Sequence, residues 1–284
     1  DSVAGDDLYL SIDADLQKAT YLALQNEIAA IVYSNIKSGE IPINDVYTAL
    51  IGNSVINTEH FSKAKVSDTE KNVLSVFKSR QKTTLGKIKQ ELTSSPEALN
   101  TMSDEVLDEF TYIISMLKDD QVLLKNEIDT SDSVYQKWKN QKISPKEYLS
   151  YCITQHWIDI SQLNVDEKYA DSTEVYDALC KYILKNIKTD TEFSKIIYQY
   201  MITRGEISPR QLCLILFDQG VLDYDDATVN KLKNGSLSPR DFLMKKIYNI
   251  EITPAQLALE PCIGSCVVTD EKTGEIRAMV SYPG

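Results

Sequence analysis

The chain has 284 residues, 43% of them hydrophobic and 25% charged. This is a globular composition, long enough for one large or two ordinary domains, and not that of a disordered segment. A formal net charge of -12 excludes a nucleic-acid partner, because phosphate binding needs a basic footprint. No polybasic stretch is present for anionic lipid.

No run of about eighteen apolar residues and no charged-then-apolar leader occurs, so the chain is expected to make no membrane contact and to carry no secretion signal. Its five cysteines, Cys152, Cys180, Cys213, Cys262 and Cys266, are odd in number and scattered. That is no disulfide framework, and it leaves the redox compartment undecided.

In chain order, Asp7 to Ile12 alternates loosely and predicts a short strand. Asp13 or Asp15 then caps a helix running to about Ile36, with Leu16, Ala19, Leu22, Ala23, Ile28 and Ile31 recurring at helical spacing. The long middle is helical in pattern and punctuated by start signals: Ser95-Pro96, Ser103 before Asp104-Glu105, Asp171 with Glu174 three residues on, Asp190, and Thr253-Pro254. At the end, Ile263 to Thr269 is β-branched, Asp270 to Gly274 supplies turn chemistry, and Glu275 to Ser281 returns as a second strand, predicting a β-hairpin. The fold expected is mainly α, an all-α array of helix-turn-helix repeats plus a small α/β part made from both chain ends.

The repeats are internal and ungapped. Ile41 precedes Ile56, Ile143 precedes Ile158, Ile207 precedes Leu222, and Leu237 precedes Ile252, each pair fifteen residues apart. The pattern predicts a helix closed by Gly or a substitute, a buried aliphatic, a new start at Ser-Pro or Asn44, about three helical turns, then a second buried aliphatic. Two such turns are expected to lie side by side. The Gly-x-Ile spacing imitates the middle of a calcium loop, but the positions before the glycine hold Tyr200, Ile202 and Arg204 in the third copy and Asn230, Leu232 and Asn234 in the fourth. Hard cations need clustered carboxylates, so no metal is expected.

Leu10-Ser11-Ile12-Asp13-Ala14-Asp15-Leu16-Gln17 near the start and Asp270-Glu271-Lys272-Thr273-Gly274-Glu275-Ile276-Arg277-Ala278-Met279-Val280-Ser281 near the finish together resemble the opening of the transpeptidase domain of penicillin-binding proteins. The form is closer to the monofunctional, class B members. The likeness covers Asp7 to Ile31 and Gly264 to Pro283, about 45 residues. It implies a domain made discontinuously of residues 1–36 and 261–284, interrupted by a helical insertion over 37–260. It further implies a parent anchored to the bacterial cytoplasmic membrane and acting outside it, a D,D-transpeptidase that cross-links peptidoglycan stem peptides and is acylated by β-lactams. The family's nucleophile is expected downstream of Gly284, so this portion is expected to be inactive. The insertion is expected to dock cell-wall or division proteins or to act as a spacer. The alternative is a self-contained helical adaptor.

Lys272-Thr273-Gly274 spells the family's third catalytic motif. Its setting between two strands predicts a hairpin turn instead, with Gly274 at positive φ. Ser-x-x-Lys pairs stand at Ser34/Lys37, Ser62/Lys65, Ser75/Lys78, Ser79/Lys82 and Ser115/Lys118, and without a Ser-x-Asn anywhere they build no acylation site. His60 and His156 lie in unrelated contexts, His156 at a repeat turn, and Cys262 and Cys266 lack a second pair for zinc. Tyr176, Tyr182, Tyr198 and Tyr200, on Ile- and Leu-rich helices, suit either a partly exposed core or a partner-binding face. No catalytic, cofactor-binding or metal-binding residue is therefore assigned.

Overall fold

The computed structural model describes residues 10–94, 97–165 and 170–283. Among them the chain forms α1 (Ala14–Ser38), α2 (Ile43–Gly52), α3 (Asp68–Thr93), α4 (Asp104–Asp119), α5 (Ser133–Lys139), α6 (Pro145–Thr154), α7 (Ser172–Ile187), α8 (Thr191–Thr203), α9 (Pro209–Asp218), α10 (Asp226–Asn234), α11 (Pro239–Tyr248), α12 (Pro254–Leu257), β1 (Gly264–Thr269) and β2 (Ile276–Tyr282). The protein is mainly α-helical with one small antiparallel sheet of two strands. Asp7 to Tyr9 of the expected first strand lie outside the described residues. Leu10 to Ile12 do not join the sheet as a strand.

The start signals act locally as their chemistry requires. Asp13 accepts the N–H groups of Asp15 and Leu16 to open α1, and Gly39 at φ 88° closes it. Asp171 and Thr253 form reciprocal capping boxes with Glu174 and Gln256, satisfying two otherwise orphaned donors each. Asp190 caps α8 through the Phe193 N–H. Ser103 precedes α4 without a side-chain bond to it, and Ser95-Pro96 lie outside the described residues.

The repeat is realised as four helices of equal length, α2, α6, α9 and α11, each of ten residues. On either side stands a left-handed residue two positions before the aliphatic: Gly39 and Ser54, Gln141 and His156, Gly205 and Gly220, Gly235 and Ile250. This conformation turns the chain back on the finished helix, so that Ile41, Ile56, Leu222, Leu237 and Ile252 each donate their N–H to a carbonyl six residues earlier. Six of the eight aliphatics are buried, while Ile41 and Leu237 are half-buried. α2 departs from the expected start, since Pro42 rather than Asn44 is its N-cap. The expected side-by-side pairing of two repeat turns is not what the bridge makes: Ile158 has as its partner across an antiparallel bridge Leu123, which lies outside the repeats. Leu123 follows a further left-handed residue, Gln121, that the repeat pattern does not contain.

By compactness the chain forms two units, one running to His60 and taking in Lys65–Thr69 and the chain from Ile207 onward, the other made of Phe61–Ala64 and Glu70–Glu206. The sequence placed the divisions at residues 36 and 261. In the first unit α11 and α12 pack on α1, and α9 packs on α2, α10 and α11. Arg240 donates to the Ile36 carbonyl at the end of α1, and the Gln219 amide brackets both backbone groups of Asn57. Repeats one, three and four thus share a core with the chain ends.

The core face of α1 is Ile28, Ala29, Val32 and Ile36; of the six residues read at helical spacing only Ile28 is buried, and Leu16, Ala19, Leu22, Ala23 and Ile31 are exposed. In the second unit the Tyr198 ring stacks on Phe77 at 4.2 Å and meets Phe61 edge-on at 5.8 Å, a mutual orientation that aromatic quadrupoles favour. The Tyr176 hydroxyl donates to the Leu92 carbonyl, fastening α7 to the end of α3.

Candidate functional site

Residues 10–17 near the start and the hairpin near the finish meet in the first unit. Ser11 Oγ donates to the Ile276 carbonyl at 2.7 Å and the Asp13 N–H donates to the Arg277 carbonyl at 2.9 Å. One turn into α1, the Gln17 amide acts as a substitute peptide group: its Nε2 donates to the Met279 carbonyl at 2.7 Å and its Oε1 accepts the Met279 N–H at 2.8 Å. A bare two-stranded ribbon is marginal in water and exposes two rows of backbone polar groups. Gln17 and Asp13 cover the β2 row, and α1 covers one face of the ribbon.

Contact there is close. A Cβ on Gly264 would stand 3.1 Å from the δ-carbons of Leu24 and Ile28, so a larger residue would require those side-chain tips to give by a few tenths of an ångström. Along β2, Ala278, Val280 and Tyr282 are buried, and Cys266 lies opposite Val280 on the same inward side. Cys266 is thus a half-buried packing residue with a free thiol. Tyr282 lies 5.8 Å from the Tyr21 ring and accepts the Ala255 N–H, joining the hairpin to α1 and α12. The Asp13–Arg277 ion pair, at 3.9 Å with both side chains about two-fifths exposed, adds little in water.

The outward side is mixed, with exposed Ser265, Thr269 and Ser281 around an apolar pair. Val267 and Met279 face each other across the strands and are 56% and 59% exposed, with Ile263 and Ile276 nearby in sequence. Leu10, Leu16, Leu22 and Ile31 are exposed on α1 and the residues before it. Of the ten large hydrophobic side chains exposed among the described residues, only Tyr224 and Tyr248 lie elsewhere, so exposure is concentrated on these two elements.

Lys272-Thr273-Gly274 forms the hairpin turn. Asp270 accepts the N–H groups of Lys272 and Thr273, which holds its carboxyl below the usual carboxylate range, and Gly274 adopts φ 76°. The Ser-x-x-Lys pairs are surface features. Ser34, Ser75, Ser79 and Ser115 are exposed, and none of these hydroxyls is hydrogen-bonded to its lysine. Ser62 and Lys65 are exposed as well. His156 serves as the left-handed residue of a repeat turn at φ 59°, and His60 lies in a 3-10 turn over Thr58–Ser62. Among the described residues no group of three or more His, Cys, Asp or Glu is placed to hold a metal, and no helix is long and apolar enough to cross a membrane. Cys152, Cys180 and Cys213 are buried with free thiols, and burial pushes them up to about 12, 11 and 12, which keeps them protonated and unreactive.

The tyrosine-rich helices turn their rings to internal work. Tyr176 and Tyr198 are buried, Tyr182 donates to Asp120, and Tyr200 donates to Asp108. The structure also holds a charged cluster that no sequence signal announced. Buried Glu105 on α4 is gripped by both Arg80, which donates to its two oxygens at 2.8 Å, and Arg204, at 2.6 Å. Glu109, one turn on, is equally buried, and its Oε1 has no hydrogen-bond partner.

Comparison with protein-family models, with curated proteins and with solved structures finds no match.

Proposed function

We propose that the chain is the opening, non-catalytic portion of a peptidoglycan D,D-transpeptidase of the penicillin-binding class, working outside the cytoplasmic membrane in bacterial cell-wall synthesis, with its helical repeats serving to dock a cell-wall or division protein or to space the enzyme. The observation that carries this reading is the pairing of Ser11, Asp13 and Gln17 with Ile276, Arg277 and Met279. Two stretches more than two hundred residues apart, each resembling one part of the same domain opening, are hydrogen-bonded to each other. The exposed apolar side chains on α1 and the hairpin, Leu16, Leu22, Ile31, Val267 and Met279 among them, fit elements on which the remainder of such a domain packs.

The test is the coding sequence beyond Gly284 together with covalent labelling. The reading expects a Ser-x-x-Lys within a few tens of codons, then a Ser-x-Asn and a second Lys-Thr-Gly. It also expects fluorescent penicillin to acylate the full gene product and to leave this chain unlabelled. A stop codon directly after Gly284, or a boil-stable adduct on the chain itself, overturns it. The alternative, a self-contained helical adaptor, draws support from the first unit, where three repeats and the chain ends share one core. A pull-down with the chain that recovers no partner counts against docking under either reading.

A further inference from the structure

In the second unit, α3 and α7 flank a groove of about 510 Å³ whose character is opposite to that of the acidic chain as a whole. Its floor is Leu85, Gly86 and Leu184, and its rim is Lys78, Lys82, Lys89 and Lys188, with no carboxylate among the lining residues. Leu85 and Leu184 are half-buried and the four lysines are exposed. None of the four ammonium groups meets a carboxylate or any other hydrogen-bond partner among the described residues. Solvated helix faces ordinarily interleave both signs, so four unpaired cations around an apolar floor form a complementary surface for an anion with an apolar side.

Gly86 strengthens the case. It lies in the interior of a 26-residue helix, where glycine is destabilising relative to alanine. A Cβ added there would meet nothing within 4 Å, so close packing does not call for glycine. What the missing side chain does is leave the floor open between Leu85 and Leu184.

We propose that this groove binds an acidic amphipathic peptide segment of a partner protein, docked as a helix with aliphatic side chains on Leu85, Gly86 and Leu184 and carboxylates on the lysine rim. Lys78 and Lys82 are one helical turn apart and Lys89 two turns further, a reach of about 16 Å that a helix of roughly ten to twelve residues spans. The inference deepens the docking half of the proposed function and rests on that half alone. Its failure leaves the transpeptidase test untouched, and the reverse also holds.

The experiment is selection from a random dodecapeptide display library on the immobilised full chain, followed by fluorescence anisotropy with the enriched peptides. Two variants are compared with the parent: Gly86→Leu, which fills the floor while raising helix propensity, and the exposed pair Lys78→Glu/Lys82→Glu. Circular dichroism confirms that both keep the helical signal. The expected result is enrichment of Asp and Glu together with Leu, Ile or Met, at least tenfold weaker binding to each variant, and weakening as salt rises. Enrichment of nothing, enrichment of peptides without acidic residues, or variants that bind the enriched peptides as tightly as the parent overturns the proposal. So does binding of phosphatidylglycerol vesicles that both variants abolish while no peptide is enriched, which assigns the groove to lipid headgroups instead.

Discussion

Glu109 offers the sharpest test of how the second unit is held together. Its carboxyl is 1% exposed on α4, and Glu105, four residues earlier on the same helix, already takes the donors of Arg80 and Arg204. Burial, and then the Glu105 charge, push the Glu109 carboxyl from an ordinary 4.5 up to about 8; Lys87 and Arg80 pull the other way and Asp108 adds slightly to the rise. The folded chain therefore holds a proton that the unfolded chain has released throughout the window from 4.5 to 8. Stability falls as pH rises across that window and levels off above it. At about 1.4 kcal/mol per pH unit, the loss between the ordinary carboxylate range and pH 7 is on the order of 3 kcal/mol. Glu109→Gln keeps the volume and removes the charge, so it should raise stability at pH 7 by roughly 1–3 kcal/mol and flatten the slope between pH 5 and 8. The readouts are urea unfolding at several pH values and amide exchange across α4, which reports on this unit directly. Carboxylates such as Asp132 and Asp225, held below their ordinary value by cap hydrogen bonds to their ionised forms, titrate below this window and do not confuse it. A variant that unfolds more readily at pH 7, or an unchanged slope, refutes a protonated Glu109.

Two further outcomes follow from the hairpin and the repeat. Gln17→Ala removes both hydrogen bonds to Met279 and should cost about 1–2 kcal/mol, seen as faster exchange of the Met279 amide while the second unit is unaffected. His156→Gly places glycine at a left-handed position where the third copy uses Gly220; relief of the penalty borne by a side chain there should stabilise the chain by about 1 kcal/mol, and a lower unfolding midpoint would contradict the assignment of that turn.

What the sequence disclosed was local, and what it concealed depended on distant partners. Asp13, Asp171 and Thr253 announced their helices because a cap needs only the next three residues. The Asp270 to Gly274 turn was legible for the same reason, and the fifteen-residue spacing marked the helix breaks and their aliphatics, though not the left-handed residues at Ser54, Gln141, His156 and Ile250. The buried side of α1 was misplaced because apolar residues occur around much of that helix. Only packing on α11 and α12 decides that Val32 and Ile36 face inward while Leu22 and Ile31 do not. Likewise, Asp104-Glu105 reads as an ordinary acidic first turn. The burial of Glu105 follows from Arg80 and Arg204, 25 and 99 residues away, which leave no trace in its neighbourhood. Gln17 stands within the matching stretch, yet its service as a surrogate peptide group emerges only once β2 lies beside it.

The paired left-handed residues make each repeat a ruler. One residue added inside a ten-residue segment would swing the second turn by about 100° and advance it about 1.5 Å, carrying an aliphatic such as Ile56 or Ile252 off its seat in the interior. Such a module absorbs substitutions freely but not changes of register. Its history should therefore be written in exchanged letters and in whole modules gained or lost, with length variation confined to the stretches that connect one module to the next.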